Sequence, residues 1–306
     1  MTKRIKKSVR ERSTTSVEDR IRRGQPEKIP APSTRGRAGI TRFSRRETYP
    51  RQRWRSALQI ALFLLWTFAS IVISQTLLGL ILFPILKDSL YTPLWITLYT
   101  ASSYALSCLL VITVPKRLAK TKFANLILGP PKPSKKSKKQ PPQKTSLRTL
   151  LGLSGSPRWR DIGLALAGLL IYFLLASLLI ALFSLFPWFD PQQAQNTGFS
   201  NLPDLPSRIF AFIALVIVAP IAEELIFRGW LYAKLRSRAS IWLSALLVSA
   251  LFGLAHGAWN VGINVFVMSV VMCLIRELTG TIYGGIILHI LKNALAFYLL
   301  IYSGIL

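Results

Sequence analysis

The chain has 306 residues, of which 51% are hydrophobic, yet its formal net charge is +27 at pH 7. A mean hydropathy of +0.41 combined with that charge excludes an ordinary soluble domain, in which apolar and charged residues are mixed along the chain. Residues 1–55 contain 18 Lys and Arg and residues 116–160 contain 13, so 31 of the 39 basic residues lie in two segments. The rest of the sequence is typical of a membrane protein.

The N-terminal 55 residues are rich in Arg, Ser, Thr, Pro and Gly and show no hydrophobic period. This composition predicts a disordered basic tail. The tail is too long and too polar to be the first part of a cleaved signal peptide, so we expect the first apolar span to be retained.

Seven apolar runs follow, each near the length of about 20 residues that crosses a bilayer. They show no alternation of apolar and polar residues, so a lipid-spanning barrel is not expected and helices must satisfy the backbone. The fold class predicted is all-α, a polytopic transmembrane helical bundle of about seven spans, with six to eight compatible with the pattern. The runs lie at residues 56–82, 91–115, 162–186, 209–231, 241–256, 261–275 and 282–305.

The basic segments divide the chain into a tail (1–55), two N-terminal transmembrane helices (56–115), a Pro- and Lys-rich linker (116–160) and a C-terminal core (161–306). Tail and linker are topogenic on the simplest interpretation, and anionic lipid is their expected partner. No aromatic residue interleaves the lysines of residues 132–144. Nucleic acid is therefore not an expected partner.

Orientation follows from the bias of Lys and Arg between connecting segments. With a cytoplasmic N-terminus, every strongly basic segment falls inside, including the turns at residues 234–238 and at Arg276. The loop with Asp190 and Asp204 and the turn near Trp259 fall outside. We therefore expect a multi-pass integral protein of the plasma membrane. Tryptophans at predicted span ends are candidates for an interfacial belt: Trp54, Trp188, Trp230, Trp242 and Trp259.

Ionisable side chains inside the spans are the strongest functional signal, because a charge at a helix centre costs about 2.5 to 3.5 kcal/mol on insertion. Glu224 and Arg228 are four residues apart and share a helix face, so they can pair. Glu223 points about 100° away from Glu224 on a helical wheel and has no partner within its own span. An unpaired carboxylate of this kind suits a general base. Pro220 lacks an amide hydrogen and frees a carbonyl one turn earlier.

The two histidines of the chain also lie in apolar runs. Phe252 and His256 are four residues apart, as are His289 and Asn293, so each pair shares a helix face. Such histidines are commonly helix-packing groups, and their coincidence with the double glutamate favours a reaction centre. Two small-xxx-small steps predict close helix approach: Gly253 with Gly257, and Gly280 with Gly284.

In this order on successive spans, the motifs Glu223-Glu224-xxx-Arg228, Phe252-xxx-His256 and His289-xxx-Asn293 closely resemble those of the CAAX protease and bacteriocin-processing family. Its members are also called type II CAAX prenyl endopeptidase-like intramembrane proteases. The likeness covers about residues 160–306.

The resemblance implies that Glu223 and His256 activate a water, that His289 and Asn293 stabilise the oxyanion, and that supporting residues hold the site. The supporting residues would be Glu224, Arg228 and Phe252. The implied activity is hydrolysis of a peptide bond in a membrane-associated peptide or protein, of prenylated or leader type.

The sequence alone does not establish whether the site binds a metal. Glu223, His256 and His289 match the ligand types of a catalytic zinc site. The compact HExxH spacing is absent, however, and ligation by Glu223 would remove the evident base. The favoured hypothesis therefore requires no cofactor, and zinc is the alternative.

One geometric difficulty arises from counting residues along the spans. Glu223 and His289 fall about 10 to 16 Å from the cytoplasmic ends of their spans, whereas His256 falls about 25 Å from that side. Tilt, a late helix start after Arg238 or a short re-entrant segment would close this gap. Lys292 is a further intramembrane charge that could snorkel, pair with Glu277 or tune the site.

A non-enzymatic alternative uses the same residue types. A proton-coupled transporter or an assembly scaffold would also bury Glu223 with histidines, because proton relays consist of such groups. Transport requires substrate-dependent proton flux, whereas proteolysis yields a cleaved product without a gradient.

Overall fold

The computed structural model describes residues 50–87, 89, 92–118, 146–193, 199 and 202–302. These residues form eight helices and no strand. The predicted tail up to residue 49 and the linker residues 119–145 lie outside the described residues. The helices are α1 (Pro50–Leu86), α2 (Pro93–Leu118), α3 (Leu147–Leu151), α4 (Trp159–Phe183), α5 (Leu205–Arg236), α6 (Ile241–Leu254), α7 (Trp259–Thr279) and α8 (Tyr283–Tyr302).

The predicted all-α polytopic bundle is confirmed. Five helices, α1, α2, α4, α5 and α7, are long and apolar enough to cross a membrane, and α6 and α8 are shorter apolar helices. The seven helices correspond one to one with the seven apolar runs of the sequence.

The helices differ in how much of their apolar surface they bury. Only 11% of the most apolar window of α1 is buried, against 50% for α5. Leu80 in α1 is 71% exposed, and Leu170 and Leu174 in α4 are similarly exposed. The exposed apolar faces of α1 and α4 are suited to contact with lipid. Helix α5 is the most buried of the long helices and is packed among its neighbours.

The described basic turns after α5 and at the end of α7 meet at one end of the bundle. Arg236 Nη2 at the end of α5 lies 2.9 Å from Glu277 Oε1 in α7. Arg276 Nη2 donates to the carbonyl of Leu150 in α3 at 3.0 Å. Arg238, in the turn after α5, lies over an aromatic ring of α1, and burial lowers its pKa to about 10. Arg238 is therefore still cationic at neutral pH.

The other end joins the α4–α5 loop to the α6–α7 turn. The rings of Trp188 and Trp259 lie 6.1 Å apart, and Asn260 Nδ2 donates to the carbonyl of Pro191 at 2.9 Å. The α4–α5 loop and the α6–α7 turn, both predicted to lie outside, are thus at the same end of the bundle. Which end faces the cytoplasm stays a prediction.

The central helix α5 is not a regular α-helix. Two π-helical segments, Ile213–Val218 and Glu224–Leu231, interrupt it on either side of Pro220 and Glu223. In π geometry each amide donates to the carbonyl five residues earlier, and the amide of Ala219 donates to Ala214 in this way. The sequence predicted a span here, and the structure places an unusual backbone next to the double glutamate.

The helices α6 and α7 approach closely at Gly253. A Cβ at Gly253 would lie 2.7 Å from the carbonyl oxygen of Gly262. Gly257 instead has φ +74° and nothing near its missing Cβ, so it serves the turn. The second step divides in the same way: Gly284 packs tightly, and Gly280 ends α7 with φ +74°. In each predicted pair, therefore, one glycine allows close packing and the other serves a turn or a helix end.

The predicted tryptophan belt is partly wrong, and the side chain of Trp54 lies outside the described part of the structure. Trp188, Trp242 and Trp259 are more than half exposed, as interfacial side chains should be. Trp230 is only 1% exposed and packs edge-to-face against Phe63 of α1 at 5.5 Å. It is a core residue that joins α1 to α5.

Candidate active site

The two adjacent glutamates of α5 have different surroundings. The side chain of Glu224 is fully buried, whereas that of Glu223 is 13% exposed. Glu223 ends a short α-helical stretch and Glu224 begins the second π-helical segment. Consecutive residues of a helix point in different directions, so one carboxylate faces the sealed core and the other an accessible side.

Glu224 belongs to a buried ionic cluster. Its Oε1 lies 2.8 Å from Arg228 Nη1, four residues further on, as the spacing predicts. The two groups form a close ion pair without hydrogen-bond alignment. The Arg228 guanidinium lies 4.5 Å over the ring centroid of Phe252, a cation–π arrangement. The side chains of this cluster are almost completely buried, and their supporting role stays a prediction.

His289 in α8 lies between the two glutamates. Its Nε2 is 3.7 Å from Glu223 Oε2, and its Nδ1 is 3.4 Å from Glu224 Oε1. Gly285, one turn earlier, allows this approach, because a Cβ there would lie 2.6 Å from Glu224 Oε2. Each ring nitrogen therefore lies near a carboxylate without a hydrogen bond to it.

His256 lies just beyond α6, in the turn that Gly257 forms. Its Nδ1 is 2.7 Å from the carbonyl oxygen of Phe252. Since a carbonyl only accepts, Nδ1 carries the hydrogen, and Nε2 of the neutral ring is the basic nitrogen. The imidazole interacts electrostatically with Glu223 and His289.

The distance counted along the sequence does not separate His256 from the other imidazole. Helix α6 ends at Leu254 after 14 residues, about 21 Å of rise, and His256 follows it in the turn. The ring of Phe252 bridges the two imidazoles, at 4.8 Å from that of His256 and 5.9 Å from that of His289.

Asn293 has a partner that the motif does not indicate. Its Nδ2 donates to the carbonyl of Leu215 in α5 at 2.8 Å. In the π register of this segment that carbonyl would accept from residue 220, and Pro220 has no amide hydrogen. The carbonyl freed by the proline is therefore satisfied from α8.

Of the three suggestions made for Lys292, the structure argues against one, a pair with Glu277. Glu277 is engaged by Arg236 and by the hydroxyl of Tyr232. Snorkelling of Lys292 and tuning of the site by its charge both stay predictions.

Sequence reasoning missed Tyr104. Its hydroxyl, on α2, donates a hydrogen bond to Glu223 Oε1. The resemblance covered only the C-terminal core, so α2 was assigned no role. The available signal was a run of hydroxyl-bearing residues, 102–104, inside an otherwise apolar span.

The site has side chains of the types that bind zinc. Glu223 and His289 stand 3.7 Å apart, a separation that two ligands of one ion can have, and their donor types suit zinc. Among the described residues, however, no group of three His, Cys, Asp or Glu side chains is assembled as a metal site. The side chains are thus of types that bind zinc, but three of them are not brought together. Whether the chain uses zinc stays a prediction.

Comparison with known proteins agrees with the resemblance found in the sequence. Residues 205–295 match the family model described as type II CAAX prenyl endopeptidase Rce1-like. Searches of curated proteins and of solved structures gave no match. The matched segment contains both glutamates, both histidines and Asn293, while Tyr104 lies outside it. The match supports an intramembrane protease of the CAAX type.

Proposed function

We propose that the chain is an intramembrane endopeptidase that hydrolyses a peptide bond in a membrane-associated substrate, with Glu223 as general base. The observation that carries the proposal is the difference between the glutamates. Glu224 is sealed beside Arg228, whereas Glu223 is partly accessible and stands 3.7 Å from His289 Nε2. The family match at residues 205–295 supports the same class of activity.

The proposed reaction begins with a water held by Glu223 and His256. Glu223 takes one proton of the water, and the resulting hydroxide attacks the carbonyl carbon of the peptide bond. Nε2 of His256 is the nitrogen free to accept a hydrogen bond from that water, since Nδ1 bonds Phe252. Attack yields a tetrahedral intermediate with a negative oxygen.

His289 and Asn293 are the proposed donors to that oxygen. The Asn293 amide nitrogen carries two hydrogens, so its bond to Leu215 leaves one for the oxyanion. Collapse of the intermediate breaks the C–N bond, and the proton taken by Glu223 passes to the leaving amine. One water is consumed, and the products are a carboxylate and an amine.

No step of this scheme passes through a metal or another cofactor. Zinc ligation by Glu223, His256 and His289 is the alternative, and the carboxylate would then be a ligand rather than the base. A membrane-associated substrate fits a site inside an apolar bundle. Prenylated C-terminal peptides and leader-type precursors are two kinds of such substrate.

The proposal is tested by comparing the peptides released in native membranes by wild-type protein and by Glu223→Gln. Glutamine keeps the size of the side chain and removes the base, so we expect the specific products to disappear while the detergent-extracted protein stays folded. Glu277→Gln is the matched control, because Glu277 pairs with Arg236 at the basic end, and it should keep the products. Identical peptides from wild type and Glu223→Gln would refute the assigned base.

A further inference from the structure

Helix α2 lies outside the family-matched segment, yet it contacts the candidate site. The hydroxyl of Tyr104 donates to Glu223 Oε1, while Glu223 Oε2 faces His289 Nε2 at 3.7 Å. Each carboxylate oxygen therefore has its own neighbour, one from α2 and one from α8. A side chain held from two helices has little rotational freedom.

The contact is part of a continuous seam between α2 and α5. Thr97 Oγ1 donates to the carbonyl of Phe210 at 3.0 Å, and Cys108 Sγ approaches the carbonyl of Ala222 at 3.9 Å. Positions 97, 104 and 108 are seven and four residues apart, so they lie on one face of α2. The seam fixes the height of Tyr104 beside Glu223.

We propose that Tyr104 is a positioning residue for Glu223, so that the complete site requires α2 as well as the matched segment. The inference rests on the proposed function. The tyrosine hydroxyl orients the carboxylate and stabilises its ionised form through a charge-assisted hydrogen bond. It has no assigned contact with substrate and is not itself a catalytic residue.

The electrostatic surroundings of Glu223 make the effect of this donor measurable. His289 and Lys292 face it from α8, His256 from the turn after α6, and Glu224 and Arg228 belong to its own helix. None of these groups is altered when the hydroxyl of Tyr104 is removed. A change in the behaviour of Glu223 is then attributable to Tyr104.

The experiment compares Tyr104→Phe with Tyr99→Phe in the purified full chain. The substrate is the one whose cleavage product is identified in native membranes. Tyr99 is also on α2, and its hydroxyl donates to the backbone carbonyl of Gln75 at 2.9 Å, away from the site. For Tyr104→Phe we expect kcat to fall about tenfold or more, since hydrogen bonds to charged groups have this order of strength. KM should stay near the wild-type value.

The pH profile separates positioning from a structural role. Loss of a donor disfavours the ionised carboxylate, so the acidic limb of the kcat/KM profile should move to higher pH in Tyr104→Phe and stay in place in Tyr99→Phe. A purely structural role would lower the amount of folded enzyme without moving the limb.

A second measurement does not depend on turnover. Thermal unfolding of Tyr104→Phe, Glu223→Gln and the double variant forms a cycle, and we expect a non-additive result because the residues are in contact. Additive effects, or an unchanged kcat and pH limb in Tyr104→Phe while Glu223→Gln is inactive, would overturn the inference and leave the proposed function standing. Absence of cleavage by the wild-type chain would overturn both.

Discussion

At the scale of single residues, two neighbouring glutamates have different surroundings. Glu224 is fully buried against Arg228, and a charge so placed requires a partner. Glu223 retains 13% exposure and is held by groups from other helices. The two glutamates thus differ in burial and in neighbours, because Glu224 faces a buried ionic cluster and Glu223 faces the more accessible side of α5.

The buried ion pair predicts a large cost when only one partner is removed. Arg228→Met leaves the carboxylate of Glu224 buried without its counter-charge, so we expect a loss of about 3 to 5 kcal/mol in unfolding free energy. Thermal unfolding of the purified protein in detergent measures the change.

The double variant Glu224→Gln with Arg228→Met provides the control. It removes both charges, so it should recover much of the stability lost in Arg228→Met. If the double variant is no more stable than the single one, the cost does not come from an unpaired charge and the supporting role of the ion pair is wrong.

At the scale of elements, the irregular backbone of α5 shapes the site. The π-helical segment Ile213–Val218 and the following Pro220 leave the carbonyl of Leu215 without an amide donor in its own helix. Asn293 of α8 supplies the donor. Because Asn293 is one turn after His289, this bond also anchors the helix that carries the imidazole to Glu223.

This arrangement predicts that Pro220 and Asn293 are energetically coupled. Asn293→Ala leaves the Leu215 carbonyl unsatisfied, which should cost about 1 to 3 kcal/mol. In a Pro220→Ala background, residue 220 has an amide hydrogen for that carbonyl, so the same Asn293→Ala change should cost less. Thermal unfolding of the four proteins in detergent gives both costs.

Turnover in the same four proteins separates the two roles of Asn293. If its amide also stabilises the oxyanion, Asn293→Ala should remain slow in both backgrounds, even where stability is recovered. Equal destabilisation by Asn293→Ala in the two backgrounds would contradict the explanation of the Leu215 bond.

At the scale of the whole molecule, the candidate site is assembled from regions far apart in sequence. Helix α5 supplies the glutamates, the α6–α7 turn supplies His256, and α8 supplies His289. Tyr104 comes from α2, outside the matched residues 205–295. Helix α2 is therefore joined to the site by direct contact.

Much of this architecture was predictable from local patterns. Hydrophobic length predicted the seven apolar helices, and the spacing of four residues predicted the Glu224–Arg228 pair, because both depend only on neighbouring sequence. The contact of Tyr104 and the burial of Trp230 depend on how distant helices pack. Pro220 indicated a freed carbonyl in α5, but the two π-helical segments have no such local pattern, and the bond from Asn293 to the Leu215 carbonyl depends on the packing of α8.

The central claim is that Glu223 activates water for peptide hydrolysis. The most direct measurement is cleavage by the purified full chain in proteoliposomes without an ion gradient, in water enriched in ¹⁸O, with mass spectrometry of the products. We expect the wild-type chain to release a product whose new carboxyl terminus contains one ¹⁸O from the solvent, and Glu223→Gln to release none. The same labelled product at the same rate from Glu223→Gln, or no product from the wild-type chain, would contradict the account.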